Sequence, residues 1–204
     1  MGVGTGRFIC FEGIDGAGKS THISWFADRL RQRGHTVLLT REPGGSPLAE
    51  QIRGLLLNEA MQPQTELLLA FAARAEHLTT TIEPALAAGQ IVISDRFTDS
   101  TYAYQGAGRG LDWATIAGLE RFVQQGCQPD LTVFFDLAAP QAAARRAKVR
   151  LADRFEAESI AFFERVRNGY LRRVAEQPAR YAVIDAQLSI DEIKVLLEEI
   201  VEKY

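Results

Sequence analysis

Eight residues, Gly13-Ile14-Asp15-Gly16-Ala17-Gly18-Lys19-Ser20, fit the pattern G-x-x-x-x-G-K-[ST] and follow directly on an apolar run, Arg7-Phe8-Ile9-Cys10-Phe11-Glu12. The run reads as a short buried strand, so the glycines stand where a strand hands over to a helix. Glycine lets the backbone turn its N–H groups inward around phosphates. Lys19 then reaches the β and γ oxygens, and the Ser20 hydroxyl is placed to ligate Mg²⁺. The helix expected from Thr21 onward turns its positive N-terminal end toward the anion.

The rest of the chain repeats the alternation of strand and helix. Apolar spacing at Ile23, Phe26, Ala27 and Leu30 predicts a helix over Thr21–Arg33, closed by Gly34. Further strands are expected at Thr36–Thr40, Gln90–Ser94, Leu131–Phe135 and Tyr181–Ile184. Helical patterns lie between and after them at Leu48–Leu57, Thr65–Ala87, Trp113–Gln125, Gln141–Ala147, Ala157–Glu176 and Ile190–Val201. Strands separated by helices predict a mainly parallel sheet with helices on both faces, and in such sheets ligands bind beyond the carboxyl ends of the strands. Each of the first four strands ends in candidate chemistry: the glycine loop, then Arg41-Glu42-Pro43-Gly44-Gly45, then Asp95-Arg96, then Asp136.

At 204 residues with 47% hydrophobic composition, one compact domain over 1–204 suffices. Cys10 and Cys127 are far apart in sequence, which suits reduced thiols better than a disulfide framework. No apolar stretch approaches the roughly 18 residues that span a bilayer, and the lead from Met1 to Gly6 has no signal-peptide pattern, so a cytoplasmic protein without a membrane partner is expected. A net charge of -3 argues against a nucleic-acid partner, because phosphate-backbone binding needs a broad basic surface.

None of the four lysines stands in an N/T-K-x-D base-reading context, and the glycine loop is not the dinucleotide-binding G-x-G-x-x-G. What remains is a small NTPase, a P-loop ATPase subunit that drives a partner, or a kinase that moves phosphate between nucleotides. An acceptor that is itself a phosphate needs fixed cations, because two anionic substrates repel as they meet in line. Arg41, Arg53, Arg74 and Arg96 supply them from four segments.

The segments Gly13 to Ser20, Arg41-Glu42-Pro43-Gly44-Gly45, Phe71-Ala72-Ala73-Arg74, Asp95-Arg96-Phe97 and Ala103-Tyr104-Gln105-Gly106 resemble, in order and spacing, those of the bacterial thymidylate kinase family, over nearly the whole chain. The resemblance implies a P-loop NTPase fold with a five-stranded parallel sheet, helices on both faces and a short lid at about 146–157. It implies transfer of the γ-phosphoryl group of ATP to dTMP with Mg²⁺, giving dTDP for dTTP synthesis, and a homodimer. Residue by residue, it implies that Gly13 to Thr21 bind ATP and that Asp15 points to the acceptor sugar's 3′-hydroxyl. Arg41, with Glu42 beside it, and Arg53 lie on the acceptor side. Ser20 and Asp95 serve the metal ion or its waters, and Arg96 serves the acceptor phosphate. Arg74 reads thymine with Thr101 and Gln105, while Tyr104 lies under the deoxyribose and leaves no room for a 2′-hydroxyl.

Several relatives place an aromatic four residues before this arginine to stack on thymine, whereas this chain has Ala70 there and Phe71 next to it. Phe71 stacks on the base after a small rotation of the helix, or else belongs to the core. The family also divides by where it keeps a phosphate-bridging arginine. With Gly16 and Ala17 in the P-loop, the resemblance points to the lid, where Arg150, Arg154 and Arg146 are the candidates, in that order.

Overall fold

A computed structural model of the chain describes residues 6–146, 154–155 and 157–204. Five strands, β1 (Arg7–Glu12), β2 (Val37–Arg41), β3 (Ile91–Asp95), β4 (Leu131–Asp136) and β5 (Tyr181–Asp185), form one sheet in the order β2-β3-β1-β4-β5. Every pairing is parallel. Each strand lies within one residue of its expected position, because short runs of β-branched and aromatic residues bounded by glycine, proline or charge leave little freedom in register. The strand order reverses at β1, whose neighbours are β3 on one side and β4 on the other. A crevice opens at such a reversal, and the glycine loop sits in it.

Alternation along β1 explains why its sequence is apolar throughout. Ile9 and Phe11 face one side, packed with Phe26 and Leu30 of α1 (Lys19–Gln32), Val166 and Tyr170 of α8 (Ile160–Glu176), and Leu197 of α9 (Ile190–Val201). Phe8 and Cys10 face the other, packed with Leu78, Ile82, Ala85 and Phe97. A parallel strand covered on both faces has no polar side to show. The remaining helices are α2 (Pro47–Asn58), α3 (Pro63–His77), α4 (Glu83–Ala87), α5 (Thr98–Thr101), α6 (Trp113–Gln124) and α7 (Ala139–Arg146).

Three local features differ from expectation. Helix α1 begins at Lys19, two residues earlier than expected, because Gly18 adopts φ 91° and caps it without a side chain. At its other end Gly34, also at φ 91°, donates to Arg31 O while His35 N donates to Leu30 O, a Schellman ending. The helix expected over 65–87 is one continuous run that widens to a π turn at Leu78–Ile82 before α4. Residues 98–108, for which no helix was expected, form α5 and a π segment at Tyr102–Gly108. That segment packs against α8 across two glycines: a Cβ on Gly169 would come within 2.8 Å of the Ala107 side chain, and one on Gly108 within 2.7 Å of the Phe162 ring.

Candidate active site

The parallel register carries the chemistry to one edge of the sheet. Phe11, Arg41 and Asp95 stand in one row, and Glu12 pairs with Phe134 beside them. Beyond that edge opens a cleft of about 940 Å³, lined by the P-loop, Arg41, Glu42, Arg53, Arg74, Asp95, Arg96, Thr101, Tyr104 and Gln105. From the far side it is lined by Arg145, Phe155 and Glu158.

At the P-loop end, Gly13, Gly16 and Gly18 all take positive φ, and a Cβ on Gly13 would sit 2.6 Å from Phe135 O. Only glycine passes there without strain. Ile14 and Ala17 turn inward and are 1% exposed, while Gly16, Gly18, Ser20 and Thr21 line the cleft. Lys19 Nζ donates to Gly13 O at 3.1 Å and lies 3.9 Å from Asp95 Oδ1. That oxygen is buried without a hydrogen bond. Burial, helped by the nearby Arg96 charge, holds the Lys19 ammonium below its ordinary pKa.

Arg96 is the hub of the site. It sits at φ 73°, a left-handed conformation rare for a side chain of this size. Its guanidinium donates to Asp15 Oδ1 at 2.7 Å, Tyr104 Oη at 3.2 Å, Tyr170 Oη at 2.9 Å and Ser100 Oγ at 3.1 Å. Tyr104 also donates to Asp15 Oδ2 at 2.8 Å. Burial pushes the Asp15 carboxyl up, but Arg96, Lys19 and the Tyr104 hydroxyl outweigh it and hold the group well below the usual carboxylate range. Behind Arg96 lies Glu12, fully buried, which accepts from Phe97 N at 2.7 Å, Ser100 Oγ at 2.7 Å and Tyr170 Oη at 2.9 Å. Burial raises its pKa against the opposing pull of Arg96. Burial likewise keeps the Tyr104 and Tyr170 hydroxyls protonated far above their usual range.

The opposite end of the cleft is built on α3. Arg74 is 3% exposed; its Nε donates to Glu42 Oε2 at 2.8 Å and its NH2 group to Thr101 Oγ1 at 3.0 Å, while NH1 is buried without a partner. Glu42, which lines the cleft on the acceptor side, engages both carboxylate oxygens, one with Arg74 and one with His77 Nδ1 at 3.0 Å. Thr101 and Gln105 come to this end from α5 and the π segment.

Phe71 does not reach the cleft. It is 2% exposed and packs with Leu67, Tyr102 and Ile116, because the helix turns Ala70 to the cleft wall and puts position 71 about 100° around. Phe97, one of the rings that line the cleft, lies 5.1 Å from the Arg74 guanidinium, and Phe71, behind the wall, lies 4.8 Å from it.

Arg41 and Arg53 line the acceptor side as expected, yet both are engaged by protein. Arg41 donates to Glu50 at 3.0 and 3.3 Å, and Arg53 to Pro43 O at 2.8 Å. On the lid side, Arg150 lies outside the described residues, and Arg146 is described only as the last backbone turn of α7. Arg154 reaches across to α2 and α3 instead of the P-loop: it donates to Leu56 O at 2.9 and 3.0 Å and pairs with Glu66 Oε2 at 2.8 Å.

Glu12, Ser100 and Tyr170, which hold Arg96, were not singled out from sequence. Arg145, which the sequence crowds together with Arg146, Arg150 and Arg154, donates to Ala186 O at 2.9 Å beside the P-loop glycine Gly18. A carboxylate ending an apolar strand is a signal for Glu12, since such groups are almost never fully buried unless partnered. Tyr170 stands 158 positions from Glu12 and carries no local mark. No group of three or more His, Cys, Asp or Glu among the described residues is arranged to hold a metal ion by itself.

Comparison with known proteins follows the same lines. The thymidylate kinase family model matches residues 11–196. The thymidylate kinase of Cupriavidus metallidurans is 63% identical over 196 residues, covering 96% of this chain and 98% of that protein, and that of Paraburkholderia phytofirmans is 58% identical over 200 residues, covering 96% and 97%. The crystal structure of thymidylate kinase from Ehrlichia chaffeensis superposes with a TM-score of 0.79 at 35% identity, covering 97% of this chain and 98% of that one. Fold, cleft and relatives agree that the chain belongs to the thymidylate kinase family, kinases that phosphorylate dTMP to dTDP with ATP as donor.

Proposed function

We propose that the γ-phosphoryl transfer of this family runs in the cleft described above, with ATP phosphates on the P-loop and dTMP between Arg96 and Arg74. The observation that carries this reading is a continuous cleft with Lys19 at one end and the unpartnered Arg74 NH1 at the other. Arg96 lies between them, where two phosphates must meet. The acceptor is already an anion at neutral pH, so no strong general base is required, and catalysis is positioning plus charge neutralisation. Lys19 serves the transferring group and Arg96 the acceptor phosphate. Asp15, kept ionised by Arg96, accepts from the sugar 3′-hydroxyl. The Tyr104 ring, enclosed edge-on by Phe155, Phe162 and Phe163, sits under the sugar.

The residues fit Mg²⁺. Asp95 Oδ1 is buried with no hydrogen bond and the Ser20 hydroxyl lines the same cleft, an oxygen set of the sparse kind Mg²⁺ takes alongside nucleotide phosphates. When bound, the ion neutralises charge on the phosphate oxygens. With Arg154 engaged by Leu56 O and Glu66, the phosphate-bridging role passes to Arg150 and Arg146. A homodimer is supported by Leu48, Leu55, Leu68 and Phe122, apolar residues left exposed on α2, α3 and α6, where α3 packs against both other helices. Two free cysteines and the lack, among the described residues, of a helix long and apolar enough to cross a membrane support a cytoplasmic setting.

A coupled assay of ADP formation tests the reading. ADP should appear only with dTMP present, and Lys19→Ala should lower kcat by about 10² or more with thermal unfolding unchanged. ADP release independent of dTMP, or a Lys19→Ala enzyme with near-normal turnover, removes the P-loop transfer from the mechanism.

A further inference from the structure

The base end of the cleft contains a carboxylate that touches no cleft surface, Glu66 of α3, 1% exposed. Gln105 Nε2 donates to Glu66 Oε1 at 2.7 Å, and the same carboxylate pairs with Arg109 at 3.3 Å and Arg154 at 2.8 Å. A carboxylate held in ion pairs can only accept. The Gln105 amide is therefore oriented by necessity: its nitrogen must face Glu66 and its oxygen must face away. That oxygen has no protein hydrogen bond among the described residues, and Gln105 lines the cleft.

Arg74 offers the complement. A guanidinium only donates, and its NH1 is the buried donor left without a partner. Its orientation is fixed on the far side by Glu42 and Thr101. The protein thus presents one acceptor and one donor of settled polarity. A pyrimidine with a carbonyl at C4 and a protonated N3 matches that pair. Cytosine, with an amine at C4 and a bare N3, reverses both contacts.

We propose that Glu66 is a positioning residue that sets base specificity, by locking the Gln105 amide with its oxygen toward the acceptor base. This rests on the reading of the cleft as the dTMP site. Gln105 by itself carries no such preference, because an amide can turn over and present its nitrogen to cytosine N3. The polarity comes from a residue that never meets the nucleotide.

The test is steady-state kinetics of the full chain with dTMP and with dCMP. In Glu66→Gln the new side-chain amide can donate to the Gln105 oxygen, so Gln105 is free to turn its nitrogen to the base. The dTMP to dCMP ratio of kcat/KM should fall by about tenfold or more, mainly through a gain with dCMP, since a mismatched buried donor or acceptor is what enforces rejection. Glu66→Asp, still acceptor-only, should keep the wild-type ratio. In a Gln105→Met background the Glu66→Gln change should leave the ratio unmoved.

A purely structural role, through lost pairing with Arg109 and Arg154, would slow both substrates alike. An unchanged ratio in Glu66→Gln therefore overturns the proposal, as does a ratio that falls equally in Glu66→Asp. If Glu66→Gln fails to fold, Gln105→Met is read against the wild type: a dTMP to dCMP ratio left at the wild-type value overturns the proposal, because Gln105 then carries no discrimination for Glu66 to set, and a ratio that falls to the part Arg74 alone enforces supports it. A wild-type enzyme that does not turn over dTMP would sink the reading of the cleft itself, which is a different result from a wild-type enzyme that rejects dCMP while its Glu66 variants reject it equally well.

Discussion

Arg96 shows how much of this site is one residue's environment. Its left-handed backbone and its hydrogen bonds to Asp15, Ser100, Tyr104 and Tyr170 hold a cation at the middle of the cleft, and strain of this kind persists only where the surroundings over-determine it. Removing one of those partners should loosen the hub without emptying the core. Tyr170→Phe deletes a hydroxyl that accepts from Arg96 and donates to Glu12, while leaving the ring stacked on Phe134. It should cost about 1–3 kcal/mol of stability and lower kcat/KM for dTMP by about tenfold, as measured by denaturant unfolding and initial rates. Wild-type kinetics would mean that Arg96 is held without it. Asp15 makes a prediction about pH. Its folded pKa lies below the ordinary 3.8, so its contribution to stability is complete above that value and is lost as pH falls below it. Asp15→Asn should unfold more easily at neutral pH, with the gap to wild type closing below about pH 3.8, and a gap that stays constant down to about pH 3 would contradict the pairing with Arg96. Asp15, Lys19, Arg74 and Arg96 were all legible from sequence, since their motifs are local. Glu66 and Tyr170 were not, because their importance lies in partners 39 and 74 positions away.

At the level of elements, the least expected piece is the one that brings Thr101, Tyr104 and Gln105 to the cleft. Thr98 to Gly108 is rich in threonine, serine, aspartate and glycine, poor helix formers, so no helix was expected there. Packing against α8 overrides that weak propensity, and the two π stretches, at 78–82 and 102–108, place widened turns next to functional residues. Gly169 gives this a test with an unusual sign. Alanine for glycine inside a helix ordinarily gains about 0.5–1 kcal/mol. Here the added Cβ would meet Ala107 at 2.8 Å and the Ala103 Cα at 2.9 Å. Gly169→Ala should therefore destabilise the protein by about 1–3 kcal/mol and raise KM for dTMP, because it pushes on the segment that carries Tyr104 and Gln105. A rise in melting temperature would show that α8 and the π segment have room to part.

Across the whole molecule, the exposed apolar residues of α2, α3 and α6 bear on assembly. Leu68 is 58% exposed and Phe122 79% exposed. Leu68→Glu should convert a dimer into a monomer in sedimentation velocity at micromolar concentration, and a wild type that is monomeric throughout would discard the dimer. By itself, the sequence determined the alternation of strands and helices, the P-loop and the row of charged residues at the strand ends, because periodicity, glycine punctuation and motif spacing act over a few neighbouring residues. Tertiary structure alone decided the strand order, the coiling of 98–108 into helix, and the burial of Phe71 in place of stacking. It also decided the engagement of Arg154 by Leu56 and Glu66 and the direction in which the Gln105 amide points. Those outcomes depend on which distant groups share a buried space, and a buried polar group takes the orientation its partners allow.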